Sequence, residues 1–263
     1  MRYSTIEIVR KDSGITYLTL DRPEKRNAIN EVMIDDLRRA MDELAADDGV
    51  RVVILHGRGR RFCAGADLNW MQAQMGASRE QRLASARSFA EVLAALNAMP
   101  KLVVGWVYGS AFGGGIGLMA CCDTVMVEEE TMLRLSETHL GLIPATISPY
   151  LMAKLGEAGM RQLAISGPLI DPHHAVTLGL ASGVYSQDRI SHTVRYEAAQ
   201  ALKAAPGAAA ATKKLIADLA PKPDFDVIEH TANLLADQWE SAEAQAGVSA
   251  FFSKGQAPWS PGD

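Results

Sequence analysis

Two glycine-containing loops hold the residues of this sequence that are best suited to chemistry. The first runs from Arg61 to Leu68, follows an apolar strand, and has small residues at its tip, Ala64-Gly65-Ala66, before Asp67. Small side chains let a ligand approach the main chain closely and leave backbone N–H groups free to donate. Taken alone, this pattern also fits a plain tight turn, which is the more common explanation.

The second loop lies in Tyr108–Ala120 and contains three consecutive glycines, Gly113-Gly114-Gly115, before an apolar helix. Glycines at a helix start expose backbone amides, and the helix dipole adds partial positive charge there. The loop lacks the Gly-Lys-Ser/Thr ending of a phosphate-binding loop and does not match the GxGxxG spacing of dinucleotide sites. The pattern therefore favours a site that stabilises an oxyanion.

Strands and helices alternate through the first half of the chain and would position these loops at strand ends. Asn30 is a predicted N-cap for a helix over Glu31–Ala46. Alternating strands and helices of this kind favour a mostly parallel sheet covered by helices. The other segments predicted from apolar patterning are strands at Ile15–Leu20, Val50–Leu55, Lys101–Val107 and Asp123–Val127, and a helix through Phe89–Leu96.

Alanine-rich helical patterns replace strand patterns after about Leu151. Helices are predicted over Arg189–Ala204, Ala208–Leu219 and Asp224–Ala244, with Pro206-Gly207 and Pro221-Lys222-Pro223 between them. The prediction is an α/β core over residues 1–195 followed by a C-terminal helical region over residues 196–263.

Composition and charge exclude several classes of function. The chain has 263 residues, is 48% hydrophobic and carries a net charge of −5, which argues against a nucleic-acid partner. Its three cysteines fit reduced thiols of a cytoplasmic protein, and neither a secretory signal nor a membrane-spanning run is present. The histidines, including His173-His174, show no metal-ligand spacing, so no metal site is predicted.

Several motifs occur together in an order typical of one family. They are Asp21–Ala28, Phe62–Leu68, Gly113-Gly114-Gly115, Cys122-Asp123, Ser136–Pro144, Ala175–Val184, and a tail containing Phe252-Ser253-Lys254 and Trp259. On these motifs the chain resembles the crotonase family of enoyl-CoA hydratases and isomerases over essentially its whole length.

This resemblance implies an α/β spiral of repeated strand–strand–helix units, with C-terminal helices that form a homotrimer or a hexamer of two trimers. It implies that the backbone N–H groups of Ala66 and Gly114 bind a thioester oxygen of an acyl-CoA. The CoA phosphates would meet Lys25 or Arg26, and Lys254 from a neighbouring subunit, although each cation also fits a solvated surface charge. Other implied substrate-binding positions are Ala28, Ala64, Gly65, Asp67, Leu68, Trp70, Gly113, Gly117 and Pro144.

The acidic residues depart from the family pattern. Hydratases of the family usually carry two glutamates; Glu137 matches one, and Gly117 occupies the position of the other. A half-buried Glu137 would have a raised pKa suited to proton transfer, whereas the alternative is a surface glutamate at a strand end. One base suits double-bond isomerisation as well as hydration, so both remain open. No cofactor is expected, because the CoA belongs to the substrate.

A finer resemblance points to a bacterial branch associated with 3-methylglutaconyl-CoA hydration in leucine breakdown. It rests on Gly65–Met71, Gly115–Asp123 and Pro144–Tyr150. Such a substrate has a distal carboxylate, for which the candidate partners are Arg134, His139, Thr146 and Ser148. Trp70, Met71 and Met75 are candidates for the acyl pocket, with ordinary core packing as the alternative. A third hypothesis is a CoA-binding or RNA-associated homologue without catalytic activity.

Overall fold

A computed structural model describes residues 3–220 and 225–260. Six strands form a main sheet in the order β1-β2-β3-β4-β6-β8, in which β1 and β2 are antiparallel and all other neighbours are parallel. Two further strands, β5 and β7, form a small parallel sheet. The strands are β1 (Ile6–Arg10), β2 (Ile15–Leu20), β3 (Val52–Gly57), β4 (Leu102–Val107), β5 (Ser110–Phe112), β6 (Thr124–Glu128), β7 (Met132–Arg134) and β8 (Gly183–Tyr185).

Helices cover both faces of the main sheet and form the C-terminal region. They are α1 (Glu31–Ala46), α2 (Leu68–Gly76), α3 (Arg79–Asn97), α4 (Gly114–Ala120), α5 (Ser148–Ala164), α6 (Pro172–Thr177), α7 (Gln187–Ala201), α8 (Pro206–Leu219), α9 (Val227–Glu240) and α10 (Ala242–Phe252). Short 3₁₀ turns lie at Pro23–Lys25 and Glu137–Leu140.

The chain repeats a strand–strand–helix unit, as the spiral prediction requires. β4 is followed by β5 and α4, and β6 by β7 and then α5. The two earlier turns of the spiral replace the short second strand by a single bridge: Ile29 pairs with Ala66 before α1, and Cys63 pairs with Ala111 before α2. Each turn therefore places its short extended segment beside that of the next turn, along one side of the main sheet.

The main core lies between the sheet and the helices that follow each turn. In α1, Met33, Leu37 and Leu44 are fully buried on one face, and the Asn30 side chain accepts a hydrogen bond from the Met33 N–H at 3.0 Å, as expected of an N-cap. On the opposite sheet face, Ile190 and Val194 of α7 pack in a second cluster that includes strand residues Val52, Ile54 and Val104. α7 spans the predicted boundary at residue 195.

Most predicted elements are confirmed, with local differences. The helix predicted over Asp224–Ala244 is wrong as a single element: Ser241 has φ −68° and ψ 149°, ends α9, and caps α10 through a hydrogen bond from the Ala244 N–H. Asp224 and the Pro221–Pro223 segment lie outside the described residues. The patterns also missed β1, the short strands β5, β7 and β8, and the helices α5 and α6.

No helix within residues 3–220 and 225–260 has the length and apolar character needed to span a bilayer.

Candidate active site

The two glycine-containing loops lie side by side and share backbone hydrogen bonds. The Cys63 N–H donates to the Ser110 carbonyl at 3.0 Å, and the Phe112 N–H donates to the Cys63 carbonyl at 3.1 Å. A Cβ on Gly65 would lie 3.0 Å from the Phe112 oxygen, and one on Gly115 would lie 2.8 Å from Cys63 Cβ. Glycine at these two positions is therefore what permits the loops to approach so closely.

The amide of Ala66 is held in place but has no partner of its own. Ile29 bonds to the residues on either side of it: its N–H donates to the Gly65 carbonyl, and its carbonyl accepts from the Asp67 N–H, both at 2.8 Å. In a parallel bridge this pattern turns the Ala66 N–H away from Ile29. Within the described residues no acceptor lies at hydrogen-bond distance from it.

The amide of Gly114 is free for a different reason. It is the first residue of α4, where an N–H group has no carbonyl within the helix to bond to. Gly113, which precedes it, has φ +47° and ψ −115°, a conformation that strongly favours glycine. Ala66 and Gly114 both line one cavity of about 830 Å³, so two residues with unpaired amides border the same space.

A buried ion pair fixes the turn that carries Ala66. The Arg22 Nη2 donates to Asp67 Oδ2 at 2.9 Å, and its Nη1 donates to the Ala28 carbonyl. Asp67 Oδ1 in turn accepts from the Asn69 N–H at 2.9 Å and caps α2. Burial works against ionisation of Asp67, but the Arg22 hydrogen bond and these amides outweigh it and hold the pKa of the carboxyl below its usual value.

Glu137 lies directly against the glycine turn. A Cβ on Gly113 would lie 3.1 Å from Glu137 Oε1, so the carboxylate rests on the backbone next to the Gly114 amide. Glu137 begins the 3₁₀ turn after β7, and its carbonyl accepts from the Leu142 N–H at 2.9 Å. Its side chain lines the cavity, but Oε2 is buried and lacks a hydrogen-bond partner within the described residues.

Burial raises the pKa of Glu137 to about 7, and the backbone amides of Glu137 and Ser136 lower it only in part. The cause is desolvation, since an ionised carboxylate loses its water without gaining a cation. A carboxyl group that titrates near neutral pH can accept and return a proton under physiological conditions.

Ile147 occupies the space in front of Gly117. A Cβ on Gly117 would overlap Ile147 Cγ2, and it would lie 3.6 Å from Leu93 Cδ2. Gly117 is buried and does not line the cavity. A second acid therefore has no room at this position unless Ile147 also changes.

The structure brings most of the predicted site residues to this cavity. Two do not reach it: Gly117 lies behind Ile147, and Lys254 is exposed after α10, so its role in a neighbouring subunit's site stays a prediction. The predicted residues that line the cavity are Glu137, Ala66, Gly114, Lys25, Arg26, Ala28, Ala64, Gly65, Asp67, Leu68, Trp70, Gly113 and Pro144.

Only some of the residues proposed to bind a distal carboxylate line the cavity. Arg134, His139 and Thr146 line the cavity, whereas Ser148 does not and donates to the Pro144 carbonyl at 2.6 Å. Of the predicted acyl-pocket residues, Trp70 and Met71 line the cavity, and Met75 packs in a separate cluster with Leu142 and Trp239.

Sequence reasoning did not single out Arg22, Arg82 or Ile147. The signal for Arg82 is a cation on the buried face of α3, one helical turn before Ala86. Arg22 and Ile147 lie within the motifs Asp21–Ala28 and Pro144–Tyr150, but those motifs do not predict their contacts with Asp67 and Gly117. Within residues 3–220 and 225–260, no group of three or more His, Cys, Asp or Glu side chains is placed to hold a metal ion.

This combination of a spiral fold, two free amides from adjacent turns and one buried acid defines a class of proteins, and comparison with known proteins identifies it. The family model described as "Enoyl-CoA hydratase/isomerase" matches residues 10–262. A Thermus thermophilus protein provisionally named an enoyl-CoA hydratase is 32% identical over 250 residues, which cover 94% of this chain and 98% of that protein.

Two further relatives show the range of the family. The crystal structure of an enoyl-CoA hydratase from Shewanella pealeana has a TM-score of 0.80 and 31% identity, covering 98% of this chain and 97% of that one. A peroxisomal Δ(3,5)-Δ(2,4)-dienoyl-CoA isomerase from Arabidopsis thaliana is 29% identical over 196 residues, 70% of each chain. The chain belongs to the enoyl-CoA hydratase/isomerase family, the crotonases.

Removal of the buried carboxyl should stabilise the fold at alkaline pH. Because the folded pKa of about 7 lies above the ordinary 4.5, ionisation of Glu137 destabilises the native state as pH rises through that window. Glu137→Gln should therefore gain about 2–3 kcal/mol of unfolding free energy over the unmodified chain between pH 5 and pH 8. Denaturant titrations at both pH values measure this, with exposed Glu157→Gln as the matched control. An equal difference at both pH values would contradict the burial argument.

Proposed function

We propose that this chain is an enoyl-CoA hydratase that adds water across the 2,3 double bond of a 2-enoyl-CoA. The observation that carries the proposal is the placement of two unpaired amides, those of Ala66 and Gly114, in one cavity with the carboxyl of Glu137. Two donors directed at one atom would stabilise an oxygen that gains negative charge during reaction. Removal of one such donor commonly costs about 3–4 kcal/mol of transition-state stabilisation.

The thioester carbonyl oxygen would accept hydrogen bonds from both amides, which draws electron density from the conjugated double bond towards that oxygen. Carbon 3 then becomes open to attack by water, and Glu137 accepts the proton that the water loses. An enolate results, with its charge on the oxygen held by Ala66 and Gly114. Glu137, now protonated, returns the proton to carbon 2, so that one carboxyl group serves first as base and then as acid.

Isomerisation is the second candidate, and the single acid favours it. With Ile147 in front of Gly117, Glu137 is the acid available at the paired amides, because the neighbouring Asp67 is held by Arg22. A single carboxyl could remove a proton from carbon 2 of a 3-enoyl-CoA and return it to carbon 4 through the same enolate. The named relatives include both hydratases and an isomerase. We prefer hydration because the relatives that cover nearly the whole chain are named as hydratases.

The charge of the cavity wall supports an acyl-CoA as the ligand. Five Lys and Arg against three Asp and Glu line the cavity, although the chain carries a net charge of −5. Lys25 and Arg26 lie at the turn that borders Ala64, where we place the CoA phosphates. The sequence resemblance to the branch associated with leucine breakdown makes a branched glutaconyl-type acyl group our preferred substrate. No cofactor is required beyond the CoA of the substrate.

Oxygen-labelled water separates the candidate functions. Incubation with crotonyl-CoA should place the label at carbon 3, and Glu137→Gln should lower kcat by about 100-fold or more while CoA binding persists. Because Glu137 must be ionised to accept the proton of water, kcat/KM for hydration should rise with pH through about 7. Double-bond migration in a 3-enoyl-CoA without labelling would favour the isomerase. Tight CoA binding without turnover of either substrate would favour a non-catalytic homologue.

Displacing one amide should impair turnover without loss of folding. In Gly115→Ala the new Cβ would lie 2.8 Å from Cys63 Cβ and push the two loops apart. We expect kcat/KM for crotonyl-CoA to fall by about 100-fold, the scale of losing one oxyanion donor. Gly76→Ala is the control, because a Cβ there has no neighbour within 4 Å. Unchanged kinetics in Gly115→Ala would argue against the paired amides.

We also propose that the chain assembles as a trimer or a hexamer. Helix α8 has no buried residue, and Leu215, Ile216 and Leu219 are exposed on it. An apolar surface of this kind usually marks an interface. Light scattering after size exclusion should give three or six times the mass of 28.3 kDa, and Ile216→Asp should lower it. A monomer in the unmodified chain would contradict the assembly.

A further inference from the structure

Arg82 is a buried cation in the wall of the cavity, at some distance from the paired amides. Its side chain is 8% exposed and projects from the face of α3 that also carries Ala86 and Phe89. Phe89 contacts the amide end of the cavity, since its Cζ would lie 3.2 Å from a Cβ on Gly114. With a rise of about 1.5 Å per residue, Arg82 lies about 10 Å beyond Phe89 along the helix.

The guanidinium of Arg82 has unused hydrogen-bond donors. Its Nε donates to the Gln74 carbonyl at 3.0 Å and its Nη2 to the Met75 carbonyl at 3.1 Å, at the end of α2. The remaining nitrogen, Nη1, is 3.9 Å from Glu240 Oε1, whose side chain is 46% exposed. That separation makes a loose ion pair but exceeds hydrogen-bond distance, so within the described residues Nη1 donates no hydrogen bond.

Other polar groups accompany Arg82 in an otherwise apolar part of the cavity. Gln74 is 4% exposed, lines the cavity, and donates from Nε2 to Ser85 Oγ at 3.3 Å. Apolar wall residues there include Leu235 and Trp239 of α9. A cation withdrawn from water in such surroundings is stable only when it meets an anion or several acceptors, and the two carbonyls and the half-exposed Glu240 satisfy it in part.

We propose that Arg82, with Gln74 beside it, binds a carboxylate at the distal end of the acyl group. This inference rests on the proposed function, which already prefers an acyl group that ends in an acid, and assigns the residues that recognise that acid. An arginine whose Nη1 donates no hydrogen bond can pair with a carboxylate through charge-assisted hydrogen bonds. A neutral ester cannot form bonds of the same strength.

The cationic residues suggested by the sequence are less well placed for this role. Arg134 directs Nε to the Gly167 carbonyl at 2.6 Å, and His139 is exposed, with Nε2 2.7 Å from the Ser166 carbonyl. Both belong to the segment around Glu137 and face the residues that follow α5. Of the three residues, only Arg82 lies on α3. It is on the same helix face as Phe89 and bonds to Gln74 of α2.

The test compares glutaconyl-CoA with its terminal methyl ester, which has the same carbon skeleton without the charge. The unmodified enzyme should prefer the acid in kcat/KM by about 100-fold, within the range seen when one partner of a buried charge pair is removed. Arg82→Met should bring the two rates together, chiefly through KM for the acid, and Arg82→Lys should restore part of the preference.

Arg79→Met is the matched control. Arg79 lies on the same helix and pairs with Asp237 and Asn233 of α9, but it does not line the cavity. Its variant should keep the full preference for the acid. An equal loss in Arg79→Met would mean that packing between α3 and α9, rather than recognition, is responsible.

Three further outcomes would overturn the inference: no preference in the unmodified enzyme, a preference that survives Arg82→Met, or one that disappears in Arg134→Met instead. If the enzyme hydrates crotonyl-CoA but does not prefer glutaconyl-CoA over its methyl ester, this inference is wrong and the proposed function still holds. If no enoyl-CoA is turned over, the proposed function fails, and calorimetric binding of the acid and the ester to the same variants still tests Arg82.

Discussion

The site depends on backbone contact between two loops that lie far apart in the chain. Cys63 donates its N–H to the Ser110 carbonyl and accepts from the Phe112 N–H only because Gly65 and Gly115 present no side chain at the point of approach. The contact sets the spacing of two amides, and each amide is unpaired for a structural reason. Ala66 is turned outward by its bridge to Ile29, and Gly114 begins a helix. The spiral fold supplies this geometry by stacking successive turns, so both donors belong to the main chain and depend on no particular side chain.

The Glu137 carboxyl beside this contact lowers the stability of the fold when it is ionised. Glu137 Oε2 is enclosed without a partner within the described residues, and desolvation raises its pKa. In contrast, Asp67 is a neighbouring buried carboxylate that remains ionised because Arg22 and helix amides bind it. The two acids thus have opposite environments within one cavity: Asp67 holds the turn that carries Ala66, whereas Glu137 Oε2 has no hydrogen-bond partner within the described residues.

Charge is distributed unevenly between the surface and the cavity. The chain has a net negative charge, but the wall of its cavity has more cations than acids, so an anionic ligand is favoured locally. Within that wall the cations differ in exposure. Lys25 and Arg26 are exposed at the turn before Ala28, whereas the Arg82 side chain is buried in the cavity wall.

Local patterns in the sequence determined the elements whose signals lie within a few residues. The N-cap Asn30 and the apolar face of α1, the alternation in β2, and the two glycine loops belong to this group, because periodicity and caps act over one or two turns. The family motifs added the position of Glu137. Tertiary structure decided the rest, since each remaining feature joins residues that only folding brings together. Ile147 fills the space at Gly117, Arg22 reaches Asp67, and Arg82 lies in the cavity between α2 and α9. No short window contains both members of these pairs, and their energies depend on burial, which a sequence pattern does not specify.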